Sequence, residues 1–166
     1  MSALAQLQVG CLLALAMLLI AAGWQDLQTM RIPNRLPAAI MAAFAVWAVA
    51  GWTLGSVSVA DLGATSVCAA VVFAVGGLVF ATGSMGGGDV KLLTAVTLFA
   101  GPDLLADFLM VTALTGGAMA LASLAGARIG PSAPGFDGAL GTRMREGLPY
   151  GPAIAAGGLW VAASLM

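Results

Sequence analysis

The chain alternates long apolar runs with short polar connections. A helix that crosses a bilayer needs about 20 mostly apolar residues. Runs of that kind cover residues 4–24, 36–54 and 62–81. The stretch 90–125 is too long for one crossing, and Gly101-Pro102-Asp103 inside it is a turn signal. It therefore predicts a short fourth helix over 90–100 and a fifth over 104–125. Residues 148–166 supply a sixth. The fourth is short for a full span and would start upstream of residue 90, tilt little or sit where the bilayer thins. The expected fold is an all-α integral membrane protein, a bundle of six transmembrane helices. Residues 1–166 form one membrane domain, because no stretch outside the helices is long enough to bury a core of its own. No internal repeat is evident.

The polar connections 25–35, 82–91 and 126–147 fall at one end of such a bundle, and 55–61 and the Gly101 turn at the other. Arg31 and Arg35 lie in the first connection, Lys91 in the second, and Arg128, Arg143 and Arg145 in the third. All six basic residues thus share one face. The positive-inside rule makes that face cytoplasmic and puts both termini outside, together with Asp61, Asp103 and Asp107. One helix more or fewer would scatter the charges over both faces. The expected location is the cytoplasmic (inner) membrane.

Composition agrees. The 166 residues are 61% hydrophobic and 8% charged, against about 25% charged in soluble domains. Lipid is the main solvent, and no nucleic-acid partner is expected. Histidine is absent, which excludes a His triad, a His metal site and a His proton shuttle. Cys11 and Cys68 lie in separate apolar runs and read as small buried hydrophobes. No metal or cofactor is expected. No Lys or Arg precedes Arg31, so the first run lacks the charged start of a signal peptide and reads as a retained membrane helix.

Two carboxylates stand at helix ends on the basic face, Asp26 after the first helix and Asp89 at the start of the fourth. A helix cap would account for Asp89 alone, but not for Gly86, Gly87 and Gly88 before it. Serial glycines permit positive φ and close approach of another chain. Lys91 reads as an interfacial snorkelling residue or as an anchor for this loop. Asp26 alone reads as a polar marker of the membrane edge, and Ile32-Pro33-Asn34 as a turn that starts the second helix. Together the aspartates offer more. Two carboxyls that share a site cannot both ionise easily, so one holds a proton and the pair titrates as a unit. One can deprotonate a water while the other polarises a scissile carbonyl, with neither histidine nor metal.

Three stretches resemble the type IV prepilin peptidases, GxGD aspartic membrane proteases. These include the short forms that serve Flp-type pili of tight-adherence systems and the archaeal preflagellin peptidases. Asp26-Leu27-Gln28-Thr29-Met30-Arg31-Ile32-Pro33-Asn34 is similar to the family's aspartate followed by Ile-Pro-Asn. Gly86-Gly87-Gly88-Asp89-Val90-Lys91-Leu92 looks like GxGD with its usual Lys-Leu. Pro149-Tyr150-Gly151-Pro152 is similar to the aromatic-Gly-Pro element of the last helix. The resemblance implies a catalytic pair, Asp26 and Asp89, with Gly86 and Gly88 at the motif's fixed glycines. Lys91, Pro33, Asn34, Pro149, Tyr150 and Gly151 would shape the loop or bind substrate. From the residues alone, Pro149 and Tyr150 read as helix entry and interfacial anchor. The implied reaction removes the basic leader of a prepilin, after a glycine and ahead of its hydrophobic helix, on the cytoplasmic side. Pilus assembly machinery is a further expected partner.

Long family members carry a cytoplasmic insert with paired cysteines and an N-methyltransferase activity. Only the short 25–35 connection is present here, so peptidase activity without methylation is expected. Two other classes compete. A small ion or proton transporter would also hold membrane aspartates, but the chain lacks paired broken helices. A non-catalytic subunit of a pilus or secretion system would not need both aspartates and both motif glycines. A signal-peptide-peptidase-like enzyme would have Tyr before its first aspartate, where this chain has Gln25.

Overall fold

The computed structural model describes residues 2–127, 129–130 and 149–166, and all the regular structure there is helical. Five helices follow one another: α1 (Ala3–Thr29), α2 (Arg35–Leu54), α3 (Val59–Ala81), α4 (Gly87–Leu124) and α5 (Gly151–Ser164). The first four are long and apolar enough to cross a membrane. Most of the 126–147 connection, with Arg128, Asp137, Arg143, Arg145 and Glu146, lies outside the described residues, as does Leu148.

Local chemistry sets the helix ends. The Ser2 hydroxyl accepts from the Ala5 N–H at the start of α1. Ser58 and Asp61 form a reciprocal capping box on α3. α2 stops at Gly55, whose φ of 72° suits a residue without Cβ. Pro152 sits in the first turn of α5, where its missing N–H removes no helical bond.

Among the described residues five helical elements stand where six were expected, because the fourth and fifth expected helices follow one another directly at Gly101 within α4. That residue is nevertheless non-helical, with φ 56° and ψ −169°, and the chain reverses there. A Cβ on Gly158 of α5 would meet Leu19 of α1 and Val96, while one on the adjacent Gly157 would meet Phe108 and Thr112. A straight helix would hold Val96 and Phe108 roughly 18 Å apart. Along α5, Ala153 faces Gly116 and Gly157 faces Thr112 and Phe108, so α5 runs against the second part of α4. It also runs against α1, with Gly151 at Asp26, Pro152 at Gly23 and Gly158 at Leu19. The first part of α4 runs from Asp89, which shares a cleft with Asp26, to Val96, which meets Gly158 together with Leu19, and hence runs in the same direction as α5. The two parts of α4 are therefore antiparallel. The turn foreseen at Gly101-Pro102-Asp103 is therefore present inside α4.

α4 is the hub, packed against α2, α3 and α5, while α1 packs against α2 and α5. The core joins Leu12, Leu15 and Leu19 to Leu92, Val96, Phe99, Phe108, Ile154 and Val161. Phe44 meets Phe99 edge to face, with ring centroids 5.3 Å apart. Large apolar side chains such as Met17, Val67, Leu78 and Leu121 point outward. Trp24 and Trp52 are both exposed, as suits aromatic side chains at a membrane interface. In lipid, apolar side chains gain little by leaving their solvent, so helix association rests on close van der Waals contact through small residues. α5 supplies them in Ala153, Ala155, Gly157 and Gly158, which are all buried.

Gly157→Val should overpack this contact and lower stability by about 2 kcal/mol. Thermal unfolding in detergent should show a clear fall in midpoint. An unchanged midpoint would mean that α5 is not held at Gly157.

Candidate functional site

Asp26 lies in the last turn of α1. Its main-chain carbonyl accepts the N–H of Met30, 2.8 Å away, and Met30 ends the helix with φ 51°. A non-glycine residue in this left-handed conformation is uncommon. The turn sends residues 30–34 back across the helix end towards α2. The Asp26 side chain is 3% exposed. Its Oδ2 accepts the backbone N–H of Gly151 at 2.8 Å. A Cβ on Gly151 would lie 2.6–2.9 Å from the Asp26 side chain, so only glycine fits at the start of α5.

Asp89 stands in the first turn of α4 and is 9% exposed. It is not the N-cap residue, as a simple cap would have it. Gly86 holds that position, and Asp89 Oδ2 reaches back to accept the Gly86 N–H at 3.3 Å. Capping therefore occupies one oxygen. The other, Oδ1, is buried and has no hydrogen-bond partner among the described residues. Buried polar atoms are rarely left so, and a carboxyl oxygen is costlier to strand than a neutral group. The arrangement suits a site completed by water or substrate.

Both carboxyls line one cleft of about 690 Å³. One wall is made by residues 25–26 and 29–34, the other by residues 86–89. The walls come together at Gly88, where a Cβ would sit 2.9 Å from the Ile32 carbonyl oxygen. Gly86 is crowded by the Asp89 carboxylate in the same way, at 2.9 Å. None of Gly86, Gly87 and Gly88 has a positive φ. Of the two uses foreseen for these glycines, the structure uses close approach and not unusual backbone angles.

The remaining expected site residues divide. Pro33, Asn34, Gly86 and Gly88 line the cleft. Lys91 is exposed, and its Nζ donates to Asn34 Oδ1 at 2.8 Å. Gly151 touches Asp26 from the side of α5. Pro149 is buried and Tyr150 half-buried against the core, and neither is among the described residues that line the cleft. Gln25, Thr29, Met30, Arg31, Ile32 and Gly87 line it without having been singled out as site residues. Their nearness in sequence to Asp26, Pro33 and Asp89 was the available signal.

The arrangement offers two buried carboxyls that line a cleft of about 690 Å³, one of them with an oxygen that has no partner among the described residues. Such a pair can take a proton from one group and deliver one to another.

A model of the type IV leader peptidase family matches residues 13–121, about two thirds of the chain, and includes both aspartates. No curated protein and no solved structure matches significantly. The matched segment stops short of Gly151, which the structure alone joins to Asp26.

Gly151→Ala should push the Asp26 carboxylate out of place and cost about 1–3 kcal/mol. The thermal midpoint in detergent should fall by several degrees. A midpoint equal to that of the unsubstituted protein would show that the Gly151 contact is not formed.

Proposed function

The chain belongs to the type IV leader peptidase family, and from that premise we propose that Asp26 and Asp89 are its catalytic pair. The protein is helical, with four helices apolar enough to cross a membrane, as suits a multi-pass membrane protease. The observation that carries the proposal is the shared cleft: two buried aspartates from different helices face one space, and Asp89 Oδ1 has no partner among the described residues.

In the proposed reaction a water lies between the carboxyls. The ionised one takes its proton as the hydroxide oxygen attacks the scissile carbonyl carbon. The protonated one donates its proton to the carbonyl oxygen, which gives a neutral tetrahedral adduct. Collapse of the adduct restores the carbonyl, breaks the C–N bond and puts a proton on the leaving nitrogen. The two aspartates end with one proton between them, as they began.

The proposed substrates are Flp-type prepilins, cut between a basic leader and the hydrophobic helix. Six crossings, with the reversal at Gly101 as one turn, would put both aspartates on the cytoplasmic face of the inner membrane with Arg31, Arg35 and Lys91. The short connection of residues 30–34 between α1 and α2 supports peptidase action without methyl transfer.

Co-expression with a candidate Flp-type prepilin should shorten the pilin on a gel. Asp26→Asn and Asp89→Asn should each lower cleavage by about 10²-fold or more while the protein still accumulates in the membrane. Normal cleavage by either variant would overturn the paired mechanism.

A further inference from the structure

The two walls of the cleft belong to segments far apart in the chain. The wall with Asp26 continues through residues 30–34 into α2, and the wall with Asp89 is the start of α4. Two contacts tie them together. One is the backbone approach of Gly88 to Ile32. The other is the hydrogen bond from Lys91 Nζ to Asn34 Oδ1. Among the described residues it is the one side-chain to side-chain hydrogen bond between separate helical elements. Asn34 is the N-cap residue of α2, yet its side chain makes no capping bond there. Caps favour Asn because its oxygen can accept a free helical N–H. Here that oxygen is turned to Lys91 instead. The ammonium is exposed, so it can reach this partner without the cost of burial.

We propose that Asn34 and Lys91 form a latch that fixes the separation of the two walls and hence the relation of Asp26 to Asp89. Both are positioning residues. They hold the elements that carry the carboxyls and do not contact the reacting atoms. The inference rests on the peptidase reading for its effect on rate, but not for its effect on geometry.

The test is a double-mutant cycle with Asn34→Leu, Lys91→Met and the pair together, assayed on purified protein with a prepilin substrate. Each single change should lower kcat by about three- to tenfold, the scale of an exposed charge-assisted hydrogen bond. KM should change little. The double variant should be no slower than the slower single one. Asn34→Asp keeps an acceptor for the ammonium and should retain most of the rate. Additive losses, or a raised KM with kcat intact in Lys91→Met alone, would overturn the latch. The second of these would place Lys91 on the substrate.

Geometry gives a readout that needs no activity. Spin labels at Gln28→Cys and Ser84→Cys, with Cys11 and Cys68 replaced by alanine, report the distance across the cleft. The distribution should broaden in Asn34→Leu and Lys91→Met and stay narrow in Asn34→Asp. Unchanged distributions in all three would overturn the proposal. An unsubstituted protein that cuts no prepilin would count against the peptidase reading, while the label distances would still decide the latch.

Discussion

The hydrogen bond from the Gly151 amide to Asp26 joins the first helix to the last at the end of the bundle that holds the cleft. It requires that α5 begin without a Cβ and that the Asp26 side chain stay buried. Much of the packing runs on from this point. Gly23 faces Pro152 and Ala155, Leu19 faces Gly158, and Gly157 faces Phe108. Each small residue on α5 brings α1 or α4 nearer, which is how helices associate where lipid is the solvent. The helices thereby hold a buried carboxylate with a main-chain N–H as its partner.

Asp89 is held by a different device. It shares its carboxylate with the start of its own helix, and the capping bond to Gly86 fixes its direction. One oxygen then serves the fold and the other has no partner among the described residues. The Gly86 and Gly88 positions explain why the neighbouring chain can come so close. A side chain at Gly88 would collide with the Ile32 carbonyl and part the two walls of the cleft.

Much of this was readable from residue order. Apolar runs located the first three helices to within a few residues, except at the end of α1. Hydropathy stops at Trp24, but the helix runs on to Thr29, since main-chain hydrogen bonds do not need apolar side chains. That extra turn carries Asp26. Its stop at Met30 had no glycine to announce it. The early start of α3 was encoded in Ser58 and Asp61, a spacing that an apolar count passes over. Gly101 was visible as a turn, and the chain does turn there, with helical residues on both sides. The three motifs pointed to Asp26, Asp89 and Gly151. Their mutual contacts were not readable, because which glycine meets which carboxylate depends on how helices more than 100 residues apart cross. The acceptor for Lys91 was hidden for the same reason: Asn34 reads as part of a turn in sequence and serves as a partner in space.

The central claim is that Asp26 and Asp89 face one another across a single cleft and can act on one water. Cross-linking tests it most directly. With Cys11 and Cys68 replaced by alanine, Asp26→Cys and Asp89→Cys would be treated in the membrane with a short bifunctional thiol reagent and weighed intact. The account predicts one reagent bridging the two thiols within one chain, lost when either cysteine is left out. Two separate adducts, one on each thiol with no bridge, would contradict it.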